Sequence, residues 1–123
     1  MSREAPLLLL ACRDLFFASR IETVARKLGW GVERLPDHPP RNSAERPALA
    51  IVDLDGAGDP IAWVRELRGS SEELAVVGFV RHDEAERIRA AREAGASLVL
   101  SRGAFTQKLP GLLEGAVGDT MSQ

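Results

Sequence analysis

Three side chains of unlike chemistry stand at or just past the ends of short apolar runs. The Cys12 thiol closes Pro6–Ala11, the Asp53 carboxylate closes Ala48–Val52, and the Arg102 guanidinium follows Ser97–Leu100. A carboxylate can hold a hard cation, a thiol can be oxidised or bind a soft metal, and a guanidinium grips oxyanions. None of the three has the neighbours in sequence that catalysis requires. There is no Gly-rich phosphate loop, no metal-ligand cluster and no nucleophile–base arrangement, so the chain lacks the parts of an enzyme. His38 and His82 stand far apart and read as surface histidines. A lone cysteine at a strand end reads first as a small buried hydrophobe and only second as a redox sensor.

The elements that would position these groups alternate between short apolar runs and helical patterns, the signature of βαβ units. Leu7–Cys12, Gly31–Leu35, Ala48–Asp53, Leu74–Val80 and Ser97–Leu100 are the expected strands. Phe17, Ile21, Val24 and Leu28 share one face of a first helix that ends near Gly29, where Trp30 closes it. Residues 36–42 carry three prolines and read as loop, leaving room for one or two helical turns over Ser43–Arg46. A second helix is therefore short or missing. Asp59 caps a third helix that has Pro60 at its first position and Ile61, Val64 and Leu67 on its inner face. Asp83 and Glu86 form a capping box for a fourth helix running to Gly95, and Thr106 caps a fifth through about Val117. The expected fold class is α/β, a doubly wound (βα)5 parallel sheet. In such a sheet the functional crevice lies at the carboxyl ends of the strands. That places Ala11, Cys12, Asp53 and Val80 on one rim, with Ser101 and Arg102 arriving from the fifth strand.

Composition narrows the function further. The 123 residues suffice for one domain, 1–123, with an ordered core of about 6–118. Sixteen basic and eighteen acidic residues are interspersed, for a net charge of −2, which argues against a nucleic-acid footprint. The apolar run at residues 6–12 is too short to span a bilayer and is followed by Arg13-Asp14 in place of a signal cleavage site. One Cys rules out an internal disulfide framework and fits a reducing compartment, so a cytoplasmic protein is expected.

Over essentially its whole length this pattern resembles the receiver domain of bacterial two-component response regulators. The residues that carry the likeness are the five strands, the run Ile51-Val52-Asp53-Leu54-Asp55 with the loop up to Pro60, and Ala94-Gly95-Ala96-Ser97-Leu98-Val99-Leu100. The resemblance implies a flavodoxin-like fold and makes Asp53 the equivalent of the phosphoacceptor aspartate. It also marks departures. The acidic pair that holds Mg²⁺ falls on Ala11 and Cys12, so Asp53, with at most the backbone carbonyl of Asp55, leaves a poor magnesium site. Asp14 is at best a displaced substitute in the first helical turn. The hydroxyl that grips the phosphoryl group falls on Val80, the switch aromatic on Val99, and the phosphoryl-pairing lysine on Arg102. Gly103 replaces the proline that follows.

The resemblance therefore implies a degenerate pocket and a pseudo-receiver that acts in bacterial signalling through a protein partner, without a cofactor. The alternative is a two-component regulator phosphorylated on Asp53, and a weaker one is a small-ligand binder using the rim crevice. Within the rim, Asp53 and Arg102 are expected to pair with each other. Trp63 lies off the inner face of its helix and is a candidate interface anchor. Arg81, Arg87, Arg89 and Arg92, interspersed with Glu84, Glu86 and Glu93, read as a solvated face. Arg87 and Arg92 there are candidate partner contacts, since receiver domains often dock or dimerise through the fourth helix, fifth strand and fifth helix.

Overall fold

The computed structural model describes residues 5–35, 47–56, 58–81 and 84–121, with side chains as far as residue 115. The elements run β1 (Leu7–Ala11), α1 (Leu15–Lys27), β2 (Gly31–Arg34), β3 (Leu49–Asp53), α2 (Pro60–Ser70), β4 (Ala75–Val80), α3 (Ala85–Ala94), β5 (Leu98–Ser101) and α4 (Arg102–Met121). The five strands form one parallel sheet in the order β2-β1-β3-β4-β5. The chain leaves β1 toward one edge and returns on its other side, so the direction of winding reverses between β1 and β3. All five carboxyl ends meet on one rim.

Strand periodicity sorts the core into two layers. Leu8, Leu10, Ile51, Val77 and Phe79 face one way and pack under Phe17, Ile21, Phe105, Leu109 and Leu113 of α1 and α4. Leu9, Ala50, Val52, Val76 and Val80 face the other way, under Trp63, Val64 and Leu67 of α2 and Ala91 of α3. Each fully buried Leu, Val or Phe contributes about 1.5–3 kcal/mol. The chain has four phenylalanines. Phe17, Phe79 and Phe105 form one cluster with ring centroids 4.8–6.0 Å apart, each contact adding about 0.5–1.5 kcal/mol. Phe16 stands outside it.

The expected elements are present with shifted ends. Asp59 caps α2 as its spacing predicts, its carboxylate accepting the Ala62 N–H at 3.0 Å. The helix expected to be the fourth is α3, and its N-cap is Glu84, which makes no side-chain capping bond. Asp83 lies outside the described residues, as do His38, His82 and the whole 36–46 segment where a short second helix was expected. The last helix starts at Arg102, four residues before the expected cap. Ser101 Oγ accepts the Ala104 N–H, and the Thr106 hydroxyl donates back to the Arg102 carbonyl. Pro110 is accommodated within this helix on an exposed face. Trp63 corrects another expectation: it is 5% exposed. The buried face of α2 is wide enough to cover it beside Val64.

Two glycines are dictated by their neighbours. Gly78, in β4, leaves the space that the Leu54 side chain fills; a Cβ there would stand 2.8 Å from Leu54 Cδ1. Gly95 closes α3 at φ +121°, and a Cβ on it would meet Arg68 Cγ at 2.5 Å. Arg68 reaches under this turn to donate to the carbonyls of Gly95, Ser71 and Glu72 and to Ser97 Oγ. Gly95→Ala should therefore cost about 1–3 kcal/mol, seen as a lower urea midpoint at unchanged slope. A midpoint equal to that of the wild type would show that Arg68 does not hold this turn.

Candidate functional site

β3 is the central strand, and its last residue, Asp53, is the one buried charged side chain among the described residues, 9% exposed. Its Oδ1 accepts the Asp55 N–H at 3.0 Å. Its Oδ2 accepts the Cys12 thiol at 3.8 Å. Burial pushes the Asp53 carboxyl above its ordinary range, while the Asp55 N–H works in the opposite direction. Cys12 responds in kind. Burial, and then the charge of Asp53, push its thiol from 9.0 up to about 12. At neutral pH it is a protonated, half-buried donor, where a small buried hydrophobe was expected.

Ala11, Cys12, Asp53 and Val80 do share the rim, but Arg102 does not turn toward Asp53. Its Nη2 donates to Asp14 Oδ2 at 2.7 Å and its Cζ lies 3.9 Å over the Phe17 ring. The expected Asp53–Arg102 pair is thus replaced by an Asp14–Arg102 pair. The reason lies in α1: Asp14 is its N-cap, one position before the helical turn that was expected to hold it, and its Oδ1 accepts the Phe17 N–H at 3.1 Å. The guanidinium and then that N–H hold the Asp14 carboxyl below the usual carboxylate range. Asp14 is therefore fully engaged and does not stand in as a ligand at Asp53.

Asp55 offers more than its backbone. Its carboxylate accepts the Arg81 N–H through Oδ2 and Arg87 Nη1 through Oδ1 at 2.9 Å. Arg87 also donates to the Leu54 carbonyl and pairs with Glu84 at 3.4 Å. Its guanidinium is committed to the rim and is not a free interface group, whereas Arg92 is exposed. Val80 and Val99 are buried apolar residues in the α2/α3 layer. Beside Asp53 lies a cleft of about 200 Å³ lined by Cys12, Arg13, Arg34, Leu35, Pro60 and Trp63. Trp63 thus belongs to the cleft wall.

Sequence reasoning missed Phe16. It is 87% exposed on the first turn of α1, next to Leu15 at 68%. The signal was present: Phe17, Ile21, Val24 and Leu28 define the inner face of α1, and Phe16 lies off it.

No family model matches this chain, and neither does any curated protein. Solved structures do. A CheY-like receiver domain protein from Methanospirillum hungatei JF-1 matches with TM-score 0.72 at 12% identity, over 94% of this chain and 98% of that one. The fold is that of a response regulator receiver domain. The receiver domain of a NarL response regulator from Mycobacterium tuberculosis matches with TM-score 0.70 at 16% identity, over 94% and 99% of the two chains. A Burkholderia pseudomallei response regulator, solved with a phosphorylated aspartic acid and a calcium ion, matches with TM-score 0.72 at 15% identity, over 95% and 71%. At these identities the likeness is one of fold.

The receiver fold implies a bound Mg²⁺, and the donors around Asp53 do not suit it. Magnesium takes carboxylates and waters, and the second position beside Asp53 is a protonated thiol. Among the described residues no group of three or more His, Cys, Asp or Glu side chains could hold a metal ion. No helix among them is long and apolar enough to cross a membrane.

The raised Asp53 carboxyl has a consequence for stability. A folded-state value above the unfolded 3.8 means that the charged form opposes folding, so its contribution is favourable below that pH and is lost as pH rises. Asp53→Asn should raise the urea midpoint at pH 7, and the gain should vanish below the unfolded carboxylate range. A variant less stable than the wild type at pH 7 would contradict this account of the pocket.

Proposed function

We propose that this chain is a pseudo-receiver, a signalling module that acts by binding a protein partner with little or no phosphorylation of Asp53. The reading rests on one observation: the carboxylate faces a thiol where a metal-holding acid would be needed. The groups that could grip a transferred phosphoryl are also missing or engaged, since Val80 has no hydroxyl and Arg102 is bound to Asp14. With no acid at Cys12 to hold a metal and with Arg102 bound to Asp14, charge developing in phosphoryl transfer loses two of its usual means of stabilisation. The reading includes no cofactor, no catalysis and a cytoplasmic setting in bacteria.

The partner surface of this proposal is the first turn of α1, where Phe16 and Leu15 stand in solvent beside the rim. A homodimer would instead use α3, β5 and α4, where Arg92 and the partly exposed Leu98 lie. Phe16→Ala should change stability by less than about 0.5 kcal/mol and weaken recovery of a partner in pull-downs from the native cells. Unaltered recovery would remove α1 from the proposal.

The second reading, phosphorylation at Asp53, draws on the phosphorylated aspartic acid in the Burkholderia pseudomallei structure of the same fold. Intact-protein mass spectrometry after acetyl phosphate and Mg²⁺ separates the two. The pseudo-receiver reading expects no phosphoryl adduct on wild type. An adduct present on wild type and absent from Asp53→Asn would establish a working acceptor.

A further inference from the structure

The carboxyl end of β4 presents two donors to the rim: the Arg81 N–H, just after Val80, and the Arg87 guanidinium from α3. Donors converging in this way are a receptor for an oxyanion. Both are taken by one carboxylate, that of Asp55, on the turn that follows Asp53. The turn is itself firmly seated. Leu54 donates its N–H to the Phe79 carbonyl at 2.9 Å and is 2% exposed, its side chain filling the gap that Gly78 leaves. The Asp55 N–H donates to Asp53, and Arg87 Nη1 reaches the Leu54 carbonyl at 3.1 Å as well as the Asp55 carboxylate. The backbone on either side of the Asp55 carboxylate is thus fastened before the carboxylate makes any bond of its own.

We propose that Asp55 is a tethered occupant of an oxyanion receptor formed by the Arg81 N–H and the Arg87 guanidinium. It holds the turn after β3 against β4 and α3 in one standing arrangement, in the place where an external phosphoryl group would otherwise bind. The inference deepens the pseudo-receiver reading, because it gives the rim a built-in anion and so a reason to be insensitive to phosphodonors.

The test uses the full ¹⁵N-labelled chain, with inorganic phosphate as the probe. In wild type the Arg81 amide resonance should not move as phosphate is added. In Asp55→Ala that amide should exchange with solvent about tenfold faster, the loss expected for one charge-assisted hydrogen bond. Added phosphate should then return its shift saturably, and Arg87→Gln in the same background should abolish the return. Asp55→Asn, which keeps the shape and removes the charge, gives the same comparison if the alanine variant does not fold. Unchanged Arg81 exchange in both variants would overturn the inference. So would a wild-type amide that titrates with phosphate as strongly as the variant's, or a variant to which phosphate does not bind. These readouts are separate from an Asp53 adduct, which would overturn the functional reading and not the placement of Asp55.

Discussion

A carboxylate buried at the end of a central strand needs partners, and Asp53 accepts the Asp55 N–H and the Cys12 thiol while Arg102 turns away to Asp14. The parallel sheet makes this unavoidable. Every strand delivers its last residue to the same rim, and β3, with β1 and β4 on either side, delivers its own to the most enclosed place on it. Burial raises both the carboxyl and the neighbouring thiol, so each favours its protonated form. A thiol that keeps its proton, beside a carboxyl that burial disfavours as an anion, makes a quiet pair, poorly suited to binding a hard cation.

Four other charges of the rim, Asp14, Arg102, Asp55 and Arg87, are paired with one another. Arg102 ties the start of α4 to Asp14 and lies over Phe17, fastening α4 to α1 on one side of the sheet. Arg87 and Asp55 fasten α3 to the β3 turn on the other. Both pairs are partly exposed, and isolated pairs of that kind contribute little stability, typically up to about 1 kcal/mol. Their effect is geometric: Asp14, Arg102, Asp55 and Arg87, which could otherwise face an incoming anion or metal, are directed at one another. The rim is joined to both helical layers by fixed contacts, which suits a scaffold that presents a surface.

The strands were legible because continuous runs such as Ala48–Val52 have no other stable use in a chain this short, and Asp59-Pro60 located the start of α2 by local chemistry alone. The rim was legible as a set of residues, since strand ends in a parallel sheet converge. What those residues touch was not. The Asp14–Arg102 pair joins residues 88 positions apart, and nothing in sequence chooses between Asp14 and Asp53 as the partner of Arg102. Trp63 seemed outward-facing because the inner face of α2 was drawn from three aliphatic positions, whereas a helix that borders a cleft buries a wider stripe. The cap of α4 was placed at Thr106, whose hydroxyl instead bonds back to Arg102 inside a helix that Ser101 had already opened. Asp55 drew notice only for its backbone, because side-chain reach to a neighbouring strand end has no sequence signature.

The central claim is that the pocket around Asp53 is closed to magnesium. The most direct measurement is a titration of the labelled protein with MgCl₂ into the millimolar range, following the backbone amides of Asp53, Leu54 and Asp55. The account predicts no saturable movement of these three resonances. A saturable shift confined to them, lost in Asp53→Asn, would show that the metal site survives without its second acid and would contradict the pseudo-receiver account.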